Sequence, residues 1–144
     1  MNIQNYLIVM TGQMFVNLPV KDLDRSTEFF TKLGFEFNPQ LSDEKGSCII
    51  VNKENFVMLL TESFFRIFTA KHICDSKNCT GVAVSISTES REKVDELVNK
   101  AIEAGGFEAA EPQDHEWMYG RSFEDPDGHI WAIFHMDEST VSEE

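Results

Sequence analysis

The sequence predicts an α+β fold built from two βαβββ modules, and three observations predict it. The first is an internal repeat. Phe15-Val-Asn-Leu-Pro-Val20 alternates as a strand and leads into a helical stretch from Asp22 to Leu33. Val82-Ala-Val-Ser-Ile-Ser87 alternates in the same way and leads into a second helical stretch opened by Ser90. The second is a shared exit: Gly34-Phe35-Glu36 after one helix, Gly106-Phe107-Glu108 after the other. The third is Asp125-Pro-Asp-Gly128, a tight turn flanked by alternating runs, which reads as a β-hairpin near the C-terminus.

Each element has a local reason. Asp22 or Asp24 can accept bonds from the first-turn amides of the first helix, and Gly34 suits the position after its end. Shorter strands follow at 35–38, 47–52 and 56–61. Residues 62–78 hold Phe64, Phe65 and Phe68 and read as a short helix covering a sheet edge. In the second half Ser90 is the N-cap, and Val94, Leu97, Val98, Ala101 and Ile102 form one apolar stripe. Gly105 and Gly106 end that helix, and strands follow at 107–111, 119–124 and 130–135. In the last turn Pro126 presets φ, Asp127 can bond its own backbone, and Gly128 takes the exit.

The expected organisation is an N-terminal extension (1–13), one domain of two modules (14–62 and 80–136) joined by a linker (63–79), and an acidic flexible tail (137–144). A chain of 144 residues, 42% hydrophobic and 26% charged, has enough apolar material for one core. A net charge of −13 with 12 Lys and Arg argues against a nucleic-acid surface; solubility is the main reading of such acidity, and its field would draw in cationic ligands and repel anionic ones. Three cysteines leave an odd one out and no disulfide framework, so a reducing cytoplasm is expected. Tyr6-Leu-Ile-Val-Met10 is too short to span a membrane.

The hairpin resembles the last hairpin of the vicinal-oxygen-chelate superfamily: glyoxalases, extradiol dioxygenases, and fosfomycin- and bleomycin-resistance proteins. Val20-Lys-Asp-Leu-Asp-Arg-Ser-Thr-Glu-Phe-Phe30 is similar to that family's opening strand-to-helix phrase, and Val57-Met-Leu-Leu-Thr61 to its fourth strand. The resemblance spans residues 14–136. It implies two modules forming a curved mixed sheet around a cavity with helices outside, and a homodimer. It also implies four metal-ligand positions on inward-facing strand residues. Here they fall on Phe15, Leu59, Ala83 and Ala132, none of which has a lone pair for a divalent cation. No cofactor is therefore expected; a divalent metal belongs only to the alternative reading.

The remaining candidates follow from strand register. Phe15, Asn17 and Pro19 should face the cavity, opposite Val16, Leu18 and Val20. Val57, Leu59, Thr61, Ala83, Ser85, Ala132 and Phe134 complete the inward set. Around the mouth, Asp114-His-Glu-Trp-Met-Tyr-Gly-Arg121 mixes a histidine, aromatics, acids and an arginine. Trp117 and Tyr119 can stack on a flat or cationic ligand, Arg121 can clamp a carboxylate or pair with Glu124, and His115 with Glu116 is a candidate acid–base pair. His129 and His135 should point away from the cavity. His72, Cys74 and Cys79, with Cys48, are a candidate structural zinc set, though their spacing matches no zinc pattern. The expected function is metal-free binding of a small molecule, as in the bleomycin-resistance branch, where a cationic drug is held between two subunits. The alternative is a glyoxalase-type lyase or a dioxygenase with a shifted or absent metal site.

Overall fold

In the computed structural model, which describes residues 12–137, the first module runs β1 (Met14–Val20), α1 (Leu23–Lys32), β2 (Glu36–Phe37), β3 (Gly46–Ile50) and β4 (Asn55–Thr61). A short helix α2 (Glu62–Phe65) opens the linker. The second module runs β5 (Ala83–Ser87), α3 (Arg91–Glu103), β6 (Phe107–Glu108), β7 (Gln113–Asp114), β8 (Met118–Glu124) and β9 (Ile130–Met136). The fold is α+β with two βαβββ modules; β7, only two residues long, is an addition to the expected plan. Of the expected terminal segments, residues 1–11 and 138–144 lie outside the described residues.

Capping chemistry starts each helix. Asp22 accepts from Arg25 N at 3.0 Å and Ser90 from Lys93 N at 3.1 Å, each satisfying a first-turn amide. Thr61 does the same for α2 through Phe64 N at 3.3 Å.

The strands form two mixed sheets, ordered β1-β4-β3-β2 and β5-β9-β8-β6, with β7 also paired to β8. β1 and β4 run parallel, as do β5 and β9, and the other pairs are antiparallel. One core joins both sheets and both long helices. Leu18 and Val20 of β1, Val57 and Leu59 of β4, and Trp131 and Ile133 of β9 are buried with Phe29, Phe30, Val94 and Val98. The helices therefore pack on the faces by which the two modules meet. The opposite face of each sheet, here called concave, is turned away from this core.

Two acids of the C-terminal turn organise this corner, Asp125 within the second module and Asp127 across to the first. Asp125 is 3% exposed and accepts three bonds: from Trp131 Nε1 at 3.1 Å, and from the Asp127 and His129 amides at 3.0 Å each. Burial pushes its carboxyl above the ordinary range, while His129 and these donors pull it back down. Asp127 reaches across to the first module. It accepts from Lys21 N at 2.9 Å and from Ser26 Oγ at 3.1 Å, and Arg25 lies 3.6 Å away. His129 Nε2 donates to Pro19 O at 2.7 Å. Ser26 belongs to the opening phrase of the first module, so the two motifs that carry the resemblance are opposite ends of one buried network.

The cysteines depart from expectation. Cys74 and Cys79 form a disulfide across the linker loop, and Cys48 is fully buried in β3. The zinc set proposed for these residues is thereby excluded, because two of its thiolates are spent on each other and the third is remote in the core. A pairing five positions along the chain needs only a local turn, which a count of cysteines does not reveal.

Candidate functional site

The residues that a ligand can meet follow from which side chains the core leaves over. On β1, Leu18 and Val20 are buried while Phe15 is 39% exposed, so Phe15, Asn17 and Pro19 occupy the concave face. Phe15 pairs with Phe56 of β4, and their rings stack with centroids 4.8 Å apart. Phe56, Met58 and Leu60 thus share the face of Phe15. This corrects the expected register of β4: Leu59 pairs with Leu18 and is wholly buried in the core, as is Val57. Thr61 lies on that same side of the strand and caps α2. β4 is apolar on both faces, so its sequence carries no alternation from which to set the phase.

In the second sheet, Ser85 pairs with Ala132 and Ala132 with Ser122, while Gly120 pairs with Phe134. These small side chains share the concave face and leave a recess of about 270 Å³, flanked by Met118 and Phe134. A Cβ on Gly120 would lie 3.4 Å from both the Met118 sulfur and Phe134 Cβ, so the glycine keeps that wall open. The first sheet presents bulk at its concave face and the second a hollow. A separate groove of about 480 Å³ runs between the outer edges of β1 and β5, past Met14, Val16, Val82 and Val84.

The expected ligand set is thus divided by the structure. Phe15, Asn17, Ala83, Ser85, Ala132 and Phe134 lie on concave faces, and Leu59 does not. Tyr119 and Arg121 also belong to the other side. Tyr119 pairs with His135 and Arg121 with Ile133, the helix-facing register. The Tyr119 hydroxyl donates to Asp95 of α3 at 2.6 Å. Arg121 donates to Asp95 at 2.9 Å, to Asn99 at 3.0 Å and to Glu108 at 3.0 Å. The arginine expected to clamp an anion is occupied in fastening β8 to α3 and β6, and Glu124 is not its partner. Trp117 is exposed and stacks on His115 with centroids 5.5 Å apart. Arg91 anchors this hairpin by pairing with Asp114 at 2.7 Å and donating to His115 O. His115 and Glu116 are exposed at the turn and line neither concave recess nor edge groove. His135 Nδ1 donates to Thr88 O at 3.0 Å, away from the hollow as expected.

The Tyr119–Asp95 bond has a measurable signature. The hydrogen bond to Asp95 is the main cause holding the Tyr119 phenol above its ordinary value of 10.0, with burial adding to it. A folded-state value above the unfolded one means that this contribution is intact below about pH 10 and is lost as pH rises through the folded value. The chain has two tyrosines, so Tyr6→Phe isolates Tyr119 for ultraviolet titration. Adding Asp95→Asn is expected to lower the ionisation midpoint; an unchanged midpoint would remove the hydrogen bond from the account.

The metal positions can now be judged without assuming a register. On the four strands where the resemblance places ligands, the concave residues are Phe15, Asn17 and Pro19 on β1; Phe56, Met58 and Leu60 on β4; Ala83, Ser85 and Ser87 on β5; and Ile130, Ala132 and Phe134 on β9. None is His, Cys, Asp or Glu, and this donor set does not fit the family's divalent ion. Among the described residues no group of three or more such side chains is placed to hold a metal.

Comparison with known proteins agrees with this geometry at the level of the fold. A structure of the hypothetical protein SA1046 from S. aureus superposes with a TM-score of 0.75 at 31% identity, covering 93% of this chain and 99% of that one. A glyoxalase/bleomycin resistance protein/dioxygenase family enzyme from Burkholderia phytofirmans PsJN superposes with a TM-score of 0.73 at 16% identity, covering 88% and 100%. The fosfomycin resistance protein FosX from Mesorhizobium loti gives 0.65 at 11% identity, covering 93% and 99%. The last two identities establish shared fold alone. No curated protein matches the sequence. Residues 12–133 match the family described as Glyoxalase/Bleomycin resistance protein/Dioxygenase superfamily. Taken with the two βαβββ modules, that match over most of the chain places it in one family: this protein belongs to the Glyoxalase/Bleomycin resistance protein/Dioxygenase superfamily.

Proposed function

We propose that this chain is a small-molecule-binding protein that works as a homodimer and holds its ligand against the concave faces without a metal on the family's strand positions. The observation that carries this reading is the composition of those faces: aromatic, aliphatic and small hydroxyl side chains surround a hollow at Ser85, Ser122 and Ala132. Apolar walls with a few polar groups suit a ligand held by shape. The pairing of copies is supported by the orientation of the modules. Because both sheets turn their helix sides to one shared core, their concave faces do not enclose a common cavity within the chain. A second copy would lay the Phe15–Phe56 face of one subunit over the Ala132 hollow of the other. The net charge of −13 favours a cationic ligand. The alternative reading, a lyase or dioxygenase, would need metal donors or an acid–base pair from outside these strands.

No helix among the described residues is long and apolar enough to cross a membrane. The cytoplasmic location expected from the cysteine count remains part of this proposal, against which the Cys74–Cys79 disulfide stands as the contrary feature.

The test combines assembly, metal content and binding on one preparation. Sedimentation at micromolar concentration is expected to show a dimer, and elemental analysis less than stoichiometric Mn, Fe, Ni, Co or Zn. Bleomycin, a cationic probe, is expected to raise the melting temperature more than the anion fosfomycin. Ala132→Phe fills the hollow and is expected to abolish that shift. A monomer, or one tightly held ion per chain, overturns the proposal.

A further inference from the structure

Building on the reading of the concave faces as a small-molecule site, we propose that Glu124 and Phe107 form its cation anchor. They would select an organic ammonium ion whose apolar body lies in the neighbouring hollow. Phe107 of β6 pairs with Glu124 of β8, and Glu124 pairs with Ile130 of β9. Ile130 shares the face of Ala132, two positions further along β9, so the Glu124 carboxylate and the Phe107 ring stand on the concave side. Two positions back along β8, Ser122 pairs with Ala132 at the hollow of about 270 Å³. A strand rises about 3.4 Å per residue, which puts the anchor roughly 7 Å from the hollow along the sheet.

Neither group has a partner within the fold that accounts for it. Glu124 forms no ion pair among the described residues, and Arg121, on its own strand, is held on the helix side by Asp95 and Glu108. Phe107 is 69% exposed, more than any other large hydrophobic among the described residues, and joins no ring or cation–π contact there. Side chains directly opposite on antiparallel strands have Cβ atoms about 5 Å apart. A carboxylate gains nothing from the negative face of a ring, so mutual attraction does not explain this pair. Each attracts a cation: the carboxylate by a charge-assisted hydrogen bond, the ring through its quadrupole. An ammonium held between them uses both.

The rest of the concave surface selects the same sign. Followed by register through both sheets, the concave strand positions among the described residues hold two charged side chains, Glu36 and Glu124, and neither Lys nor Arg. Glu36 stands on β2, at the far edge of the other sheet, which leaves Glu124 as the charge beside the hollow. A carboxylate or phosphate ligand would meet that charge with no cation on these strands to offset it. The hollow itself, flanked by Met118 and Phe134, has room for a single ring. A ring there and a positive nitrogen between Glu124 and Phe107 describe an arylalkylammonium ion with a short linker.

The experiment is titration calorimetry of the full chain with 4-phenylbutylamine at millimolar concentration, repeated with the neutral 4-phenylbutanol and the anionic 4-phenylbutyrate. Saturable binding of the amine is expected, with the alcohol roughly tenfold weaker and the carboxylate weaker still. Glu124→Gln is expected to melt like the parent, to weaken the amine roughly tenfold and to leave the alcohol unchanged. Glu103→Gln, the same change of charge at the end of α3, leaves both unchanged. Phe107→Leu keeps an apolar group without a ring face and weakens the amine about threefold. Absence of saturable amine binding overturns the anchor, as does alcohol binding as tightly as the amine. An equal loss in the Glu103 variant overturns it too, because the diffuse field of the protein would then be the cause. Dissociation of a dimer by Phe107→Leu would make the ring a subunit contact and overturn its role toward the ligand. Ala132→Phe separates the two levels. If it abolishes binding of the amine while Glu124→Gln does not, the hollow remains the site and the anchor alone falls; if it leaves binding intact, the hollow itself falls.

Discussion

Asp125→Ala is expected to destabilise the protein by about 3 kcal/mol or more, the largest effect of a single polar side chain in the structure. The replacement leaves three donors without their acceptor, the Trp131 indole and the Asp127 and His129 amides, and all three belong to buried residues. A buried donor left without a partner costs about 1–3 kcal/mol, which is why the loss should exceed that of an exposed ion pair several-fold. Asp125→Asn separates the contributions. Its amide oxygen can keep the two backbone bonds, but its NH₂ then faces the Trp131 Nε1–H donor to donor, so an intermediate loss is expected. Urea denaturation measures both, read as a fall in midpoint at constant slope. A loss below about 1 kcal/mol for the alanine variant would show that water replaces the carboxylate and that the clamp is not structural.

Gly128→Ala is the second large effect, and its cause is geometric. Gly128 has φ of +89°, where an L side chain costs about 1–2 kcal/mol. The added Cβ would also lie 2.6 Å from Ser76 O and 2.8 Å from Lys77 N, both backbone atoms of the disulfide-closed loop. Neither atom can swing aside as a side-chain tip would, so the loop must lift from the turn. The combined loss is expected at about 2–4 kcal/mol, with faster tryptic cleavage after Lys77 as a local sign of the lifted loop. Unchanged cleavage together with an unchanged denaturation midpoint would mean that the turn relaxes without disturbing the loop.

The two effects converge on the turn that stands out in the sequence, and they alter its meaning. Read locally, Asp125-Pro-Asp-Gly128 is turn chemistry between two strands. In three dimensions Asp127 accepts bonds from Lys21 and Ser26 more than a hundred positions earlier, while Asp125 ties the turn to Trp131. A sequence shows that Asp127 can bond its own backbone; it does not show that the oxygen is taken by a partner from the other module. The concave faces of β1 and β5 were legible because side chains of two kinds alternate along them with period two, which put Phe15 and Ala83 on that side, whereas β9 is as apolar as β4 and Ala132 was placed by the family resemblance. β4 was not legible, because Phe56-Val-Met-Leu-Leu60 is apolar throughout, and Leu59 went to the wrong face. Tyr119 and Arg121 looked like free recognition groups because their partner, Asp95, lies on a helix and its pairing is visible only once β8 is packed against α3.

By itself the sequence determined the two βαβββ modules, the family, the caps of the helices and the apolar character of the positions where relatives place metal ligands. These rest on periodicity, turn chemistry and residue type, all of which act over a few residues along the chain. Only the tertiary structure decided that both modules turn their helix sides to one core, leaving their concave faces outside it. It also decided that Arg121 is spent on Asp95, Asn99 and Glu108. Those are matters of distance between residues far apart in the chain, and packing settles them by bringing charged and polar partners together from different elements.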